Sequence, residues 1–147
     1  MTLAGDIVAK LQVATTGTDA DWVVKIIDVF PNDEPETKEM AAYLKMSNYH
    51  MMVRSEVMRG RFRNSFVYPQ PFVANEKTAV NIQLQAAFHT FKKGHKIQVQ
   101  VQSTWFPLID LNPQTFVPNI FYAKPEDFKK QTHRVYSDSE IEFTVLK

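Results

Sequence analysis

The sequence contains no cysteine, which excludes disulfide staples, thiol nucleophiles and thiolate metal sites together. Glycine is scarce, with Gly5, Gly17, Gly60 and Gly94 standing far apart. No Gly-x-Ser-x-Gly elbow, P-loop or Gly-x-Gly-x-x-Gly turn can be assembled from them, so the common nucleophile and phosphate-cradling motifs are absent. Charge of one sign is lacking too: 17 basic residues meet 16 acidic ones, for a net charge of +1. Such a balance offers no field to attract nucleic acid or an anionic membrane. No apolar run approaches the roughly 18 residues a membrane span needs. The start, MTLAGDIVAK, lacks the basic-then-apolar layout of a signal peptide. Export of a longer parent to a periplasm or medium would need a signal outside this sequence.

What the chain does have is aromatic and apolar alternation. Hydrophobic residues make up 44% of 147 positions and phenylalanine alone occurs 11 times, a composition that affords one folded domain over residues 1–147. In GDIVAKLQVATT, Ile7, Ala9, Leu11 and Val13 share one face, as in a half-buried strand. After the polar turn TGTDAD, WVVKIIDVF is apolar on both faces, which predicts a strand covered on both sides. YHMMVRSEVMRGRFR, AVNIQL, KIQVQVQ, HRVY and EIEFTVL also read as extended, giving about seven strands at sandwich-like spacing. Helix is expected only as a turn around Met40 to Leu44 and one or two turns in AKPEDFKK. The first strand begins almost at residue 1 and the last ends almost at residue 147, as expected of a piece of something longer.

Candidate chemistry is sparse. His50, His89, His95 and His133 show no metal-ligand spacing, although His89 and His95 flank a Lys-Lys-Gly turn that could bring them together. The acidic turn TDAD, with Asp28 further on, is compatible with a calcium ion held by oxygen ligands or with an Asx-stabilised turn. Arg59, Arg61 and Arg63 fall on one strand face if the strand continues through Gly60. Such a row suits carboxylates or carbonyls of a neighbouring surface, because guanidinium groups make forked bonds; a solvated face is the other reading. In GHKIQVQVQSTWFP, Ile97, Val99 and Val101 should point inward and Gln98, Gln100 and Gln102 outward. Trp105 and Phe106 then leave the strand.

The segments DADWVVKIIDVFP, RGRFRNS, FKKGHKIQVQVQSTWFP and DLNPQTF occur in this order. Together they closely resemble the C-terminal, non-catalytic domain of the X-prolyl dipeptidyl-peptidase and cocaine-esterase-like serine hydrolases. The branch containing α-amino-acid ester hydrolases and glutaryl-cephalosporin acylases is the most similar, and the resemblance runs from Leu3 to Leu146. It implies an all-β fold, an antiparallel jelly-roll β-sandwich of the galactose-binding-domain-like kind, here lacking its first strands. It also implies partners in the same parent chain, an α/β-hydrolase domain carrying the Ser-His-Asp triad and a helical cap. No catalytic residue, cofactor or metal is then expected in this chain.

The expected role is that of an accessory domain packing on the catalytic domain and helping to shape its substrate pocket. Arg59, Arg61, Arg63, Trp105, Phe106, Asp110 and Asn112 are the candidate interface residues, with Asp110 and Asn112 stiffening a Pro-bounded loop. Trp105 would either plug the end of the sandwich or anchor the neighbour. An edge left unpaired by the missing strands would favour a homo-oligomer. The alternative is a carbohydrate-binding jelly roll using Trp105 and Phe106 as a sugar platform; neither reading involves nucleic acid or membrane.

Overall fold

The computed structural model describes residues 1–37, 40–41 and 43–147. Eight strands form: β1 Thr2–Thr15, β2 Asp21–Val29, β3 His50–Arg59, β4 Thr78–Gln83, β5 Ala87–Thr90, β6 Lys96–Gln102, β7 His133–Val135 and β8 Glu140–Val145. Every pairing is antiparallel. β1 is the centre of a five-stranded sheet, with β4 and β5 along one side and β8 and β7 along the other. The second sheet has the order β3-β2-β6, and β3 lies across from β4 and β5. The result is a two-sheet sandwich, with no α-helix among the described residues.

The alternation in β1 sets the core. Ile7, Ala9, Leu11 and Val13 are fully buried against Trp22, Val24 and Ile26 of β2 and Val80 and Ile82 of β4. β2 is buried on both faces, as its continuous apolar run predicts: Val23 and Ile27 on the outer face are as enclosed as the core-facing set. Over that outer face the chain after β6 folds back, placing the Trp105 ring 3.8 Å from the Lys25 ammonium. Trp105 is half-buried there. It neither plugs the sandwich end nor stands free.

Several expectations change. AAFHTF contributes the short strand β5, so the strands number eight. AKPEDFKK forms only a single 3₁₀ turn, Pro125–Asp127, closed by Lys124 N–H donating to Asp127 Oδ2 at 2.8 Å. The turn expected around Met40 to Leu44 includes Ala42, which lies outside the described residues. A bulge between Ile26 and Ile27 breaks the simple alternation of β3, so Met51 sits opposite Asp28 but Arg54 sits opposite Ile26. Finally, β3 ends at Arg59, and Gly60–Phe62 is a 3₁₀ turn. Arg59, Arg61 and Arg63 therefore do not share a strand face. Gly60 has a steric reason to be there: a Cβ would lie 2.5 Å from the Phe72 ring and 2.6 Å from the Ala20 carbonyl oxygen.

Candidate functional site at the loop end of the sandwich

β2 starts and β3 stops at the same end of the sandwich, Asp21 standing opposite Arg59. Four connections meet there: the turn before β2, the Gly60 turn, the Pro-rich stretch 69–72, and the loop that contains Asp110 to Val117. Backbone bonds tie them into one body. Gly60 N–H donates to Ala20 O (2.8 Å), Phe72 N–H to Thr18 O (2.9 Å), Gln70 N–H to Arg61 O (2.8 Å), and both Thr18 and Asp19 N–H groups to Gln114 O.

Within this body lie two carboxylate–guanidinium pairs. Arg61, 5% exposed, donates from Nε (2.9 Å) and Nη2 (2.6 Å) to Asp19 Oδ2, and from Nη1 to Val117 O (2.9 Å). Asp19 is fully buried and also accepts from the Ala20 N–H at 2.9 Å. The Phe116 ring lies 4.6 Å from the Arg61 guanidinium. Asp21, equally buried, accepts from Arg59 Nη1 at 3.3 Å and from Asn112 Nδ2 at 2.8 Å. Burial pushes the Asp21 carboxyl up to about 6, an effect only partly offset by the Asn112 amide and the Arg59 charge. Asn112 Oδ1 in turn accepts from Gln114 N–H at 2.7 Å, fixing the turn after Pro113.

The candidate residues are thereby sorted. Arg61 and Asn112 are interior, and their forked and amide bonds go to this chain's own Asp19, Val117, Asp21 and Gln114. Arg59 is partly exposed and also approaches Asp110 at 3.9 Å. Arg63 donates to three carbonyls, of Gly60, Gln70 and Pro71, and lies 4.3 Å over the Phe72 ring. Its pKa is lowered by that burial. Phe106, joined to Pro107 by a cis peptide bond, is 63% exposed. Leu108, Leu111, Phe121 and Tyr122 project from the same loops and are also exposed. A cleft of about 270 Å³ opens beside Arg59 and Arg61, walled by Phe62, Pro118 and Phe121.

This arrangement makes a rigid mount with apolar tips. The carboxylates that a calcium ion would need are engaged by protein: Asp19 by Arg61, Asp21 by Arg59 and Asn112. The third, Asp28, sits at the opposite end of β2. Its two oxygens accept from His89 Nε2 and His95 Nδ1, each at 2.8 Å, while His95 Nε2 lies 3.5 Å from Glu34. His89 belongs to one sheet and His95 adjoins β6 of the other, so Asp28 clamps the two sheets together. The His89–His95 approach was legible from their turn; Asp28 as the shared acceptor was not. Among the described residues, no group of three or more His, Asp or Glu side chains is arranged to hold a metal ion, and no helix is long and apolar enough to cross a membrane.

Residues 1–145 match the family described as the X-Pro dipeptidyl-peptidase C-terminal non-catalytic domain. The chain is 30% identical over 113 residues to a cocaine esterase of Rhodococcus sp. (strain MB1 Bresler), covering 77% of this chain and 17% of that protein. Among solved structures, it superposes on an α-amino acid ester hydrolase with TM-score 0.89 and 47% identity, covering 99% of this chain and 23% of the other. An aminopeptidase from a marine sediment archaeon, Thaumarchaeota archaeon, gives TM-score 0.91 and 44% identity, covering 99% and 24%. The chain thus spans less than a quarter of each of these relatives. It belongs to the family of X-Pro dipeptidyl-peptidase C-terminal non-catalytic domains.

Proposed function

We propose that this chain is the accessory β-sandwich of a serine hydrolase acting on amide or ester bonds, and that it docks on the catalytic domain through its loop end. The observation that carries the reading is the pairing of a buried charge network with exposed apolar tips. Arg61–Asp19 and Arg59–Asp21–Asn112 hold the loops from within. Phe106 and Phe121, 63% and 73% exposed, are left to meet a neighbour. Large aromatics on a rigid support lose little conformational freedom on docking, which suits them as interface anchors. The interface role thus passes from Arg61 and Asn112 themselves to the tips they position, with Arg59 and Asp110 at the rim. In the parent enzyme the chemistry would be acyl-enzyme formation on a serine that this chain does not supply.

A sugar-binding platform of Trp105 and Phe106 is disfavoured by the Lys25 ammonium lying over the Trp105 ring. The test has two arms. Pure chain should not turn over chromogenic aminoacyl-proline or ester substrates, and serine-dependent turnover would overturn the non-catalytic role. In a longer hydrolase carrying this domain, Phe106→Asp with Phe121→Asp should lower kcat/KM while the isolated domain keeps its unfolding midpoint. Unchanged kcat/KM would overturn the docking surface.

A further inference from the structure

We propose that the cleft between Phe62 and Phe121 at the loop end is a binding site for a carboxylate borne on a small apolar body, with Arg59 as the group that receives it. The inference goes beyond docking, because it concerns what this chain binds by itself.

The cleft is built by segments of this chain that hold one another. One wall is the 3₁₀ turn Gly60–Phe62, closed by Arg63 N–H donating to Gly60 O at 3.1 Å. Phe62 is backed by Phe66, the two rings stacked with centroids 6.3 Å apart. The opposite wall is the 3₁₀ turn Ile120–Tyr122 with Pro118 before it, and Asn119 Oδ1 accepts the Phe121 N–H at 3.0 Å to start that turn. Arg61 ties the two walls together: it belongs to the first, and its Nη1 donates to Val117 O, beside the second, at 2.9 Å. Both walls and the tie between them are therefore supplied from within this chain.

The arginines at this end are satisfied unequally. Arg61 makes two bonds to Asp19 and one to Val117 O, and Arg63 makes three to carbonyls. Arg59, whose side chain is 24% exposed, makes one hydrogen bond among the described residues, to Asp21 at 3.3 Å. Asp21 is itself held more closely by Asn112, at 2.8 Å. The second carboxylate near Arg59, that of Asp110, stays at 3.9 Å, outside hydrogen-bonding distance, and is 62% exposed. Arg59 thus keeps N–H donors for an acceptor entering the cleft that it lines. A guanidinium fork meets a carboxylate through two parallel, charge-assisted bonds, which are stronger than those to a neutral acceptor.

The walls choose the rest of the ligand. Phe62, Pro118, Ile120 and Phe121 line the cleft with rings and aliphatic groups, and apolar surroundings strengthen a charged bond made among them. The volume of about 270 Å³ falls below the roughly 300–1,000 Å³ of sites for drug-sized ligands. It therefore admits one ring or one branched chain together with its carboxylate. Asp110 is the resident competitor for Arg59, and its exposure lets it give way. Two sources share this ligand chemistry: an acidic side chain of the parent's catalytic domain, or a free acid of the kind that ester and amide hydrolysis releases.

The probe is hydrocinnamate, a carboxylate on a benzyl-bearing chain, and the control is its uncharged amide, hydrocinnamide. Titrated into the chain, hydrocinnamate should cause saturable shifts of the Arg59 Nε–H and of the Phe62 and Phe121 amides in heteronuclear NMR spectra. Hydrocinnamide should bind about tenfold more weakly or not at all. Arg59→Gln should abolish the saturable shifts, and Asp110→Asn should tighten binding severalfold by removing the competing carboxylate. Asp110 is exposed, so its variant folds even where Arg59→Gln does not. No saturable binding, equal affinity for acid and amide, or Asp110→Asn no tighter than wild type overturns the proposal. Shifts confined to surface lysines overturn it too. In a longer hydrolase carrying this domain, binding that persists at Arg59 assigns the site to free acids. Binding lost there, with the Arg59 resonance already at its acid-bound position, assigns it to a side chain of the catalytic domain. A longer hydrolase that shows neither overturns the proposal. The arms on the isolated chain do not depend on docking, so a failed docking surface leaves them readable.

Discussion

Replacing Arg61 by alanine in the isolated chain should destabilise it by about 3–5 kcal/mol, the usual consequence of stripping one partner from a buried ion pair. The structure indicates why the cost is large. The Arg61 side chain is 5% exposed and Asp19 is fully enclosed, so water cannot replace the lost partner. Two of the three bonds to the Asp19 carboxylate come from Arg61, and only the Ala20 N–H would remain. The Val117 carbonyl would lose its guanidinium donor as well. Against a domain stability of about 5–15 kcal/mol, such a loss is a large fraction. For a chain of this size it corresponds to a melting temperature lower by roughly 6–20 °C. Urea unfolding followed by tryptophan fluorescence measures it directly. Adding Asp19→Asn to Arg61→Ala should recover part of the loss, because the second change removes the stranded charge. If Arg61→Ala alone stays within about 1 kcal/mol of wild type, the pair is not the internal support described above.

The Asp21 carboxyl provides a pH test. Its folded pKa of about 6 lies above the ordinary 3.8, so its contribution to stability is full below pH 3.8 and is lost as pH rises through about 6. A difference of two pH units corresponds to about 3 kcal/mol. The stability of Asp21→Asn relative to wild type should therefore shift by about that amount in the variant's favour between pH 4 and pH 7; a pH-independent difference would refute it. At the other end of β2, Asp28→Ala leaves the ring nitrogens of His89 and the enclosed His95 without their shared acceptor. Each orphaned group costs about 1–3 kcal/mol. Unfolding should show the sum, Asp28→Asn should lose less, and equal losses in the two variants would deny the two-sided clamp.

The strands were legible where burial follows simple alternation. Ile7, Ala9, Leu11 and Val13 announced the core face of β1, and the doubly apolar run around Val23 to Ile27 announced a strand enclosed on both sides. The family resemblance named the fold's neighbours correctly. Side-chain partners were not legible, because they join residues far apart in sequence. Nothing local shows that Asp19 will take the Arg61 guanidinium 42 residues away, or that Asp28 will take both His89 and His95. The Arg row misled for the same reason. Whether the strand runs on through Gly60 depends on the Phe72 ring and Ala20 carbonyl packed against it, not on alternation. The β3 bulge is equally silent, since a one-residue slip changes no composition.

The pairing of β1 has a consequence for the order in which the chain acquires its structure. All three strands of the β3-β2-β6 sheet have been synthesised once Gln102 has been added. β1 precedes them in the chain, yet its partners extend from Thr78 to Val145. During synthesis, the row from Ile7 to Val13 waits without its flanking strand β8 until Glu140–Val145 emerge. Closing so long a loop is entropically expensive and slow, as in other β-proteins dominated by distant contacts. The smaller sheet can form as a platform while the larger one remains unfinished, so chaperone capture during synthesis should fall on β1.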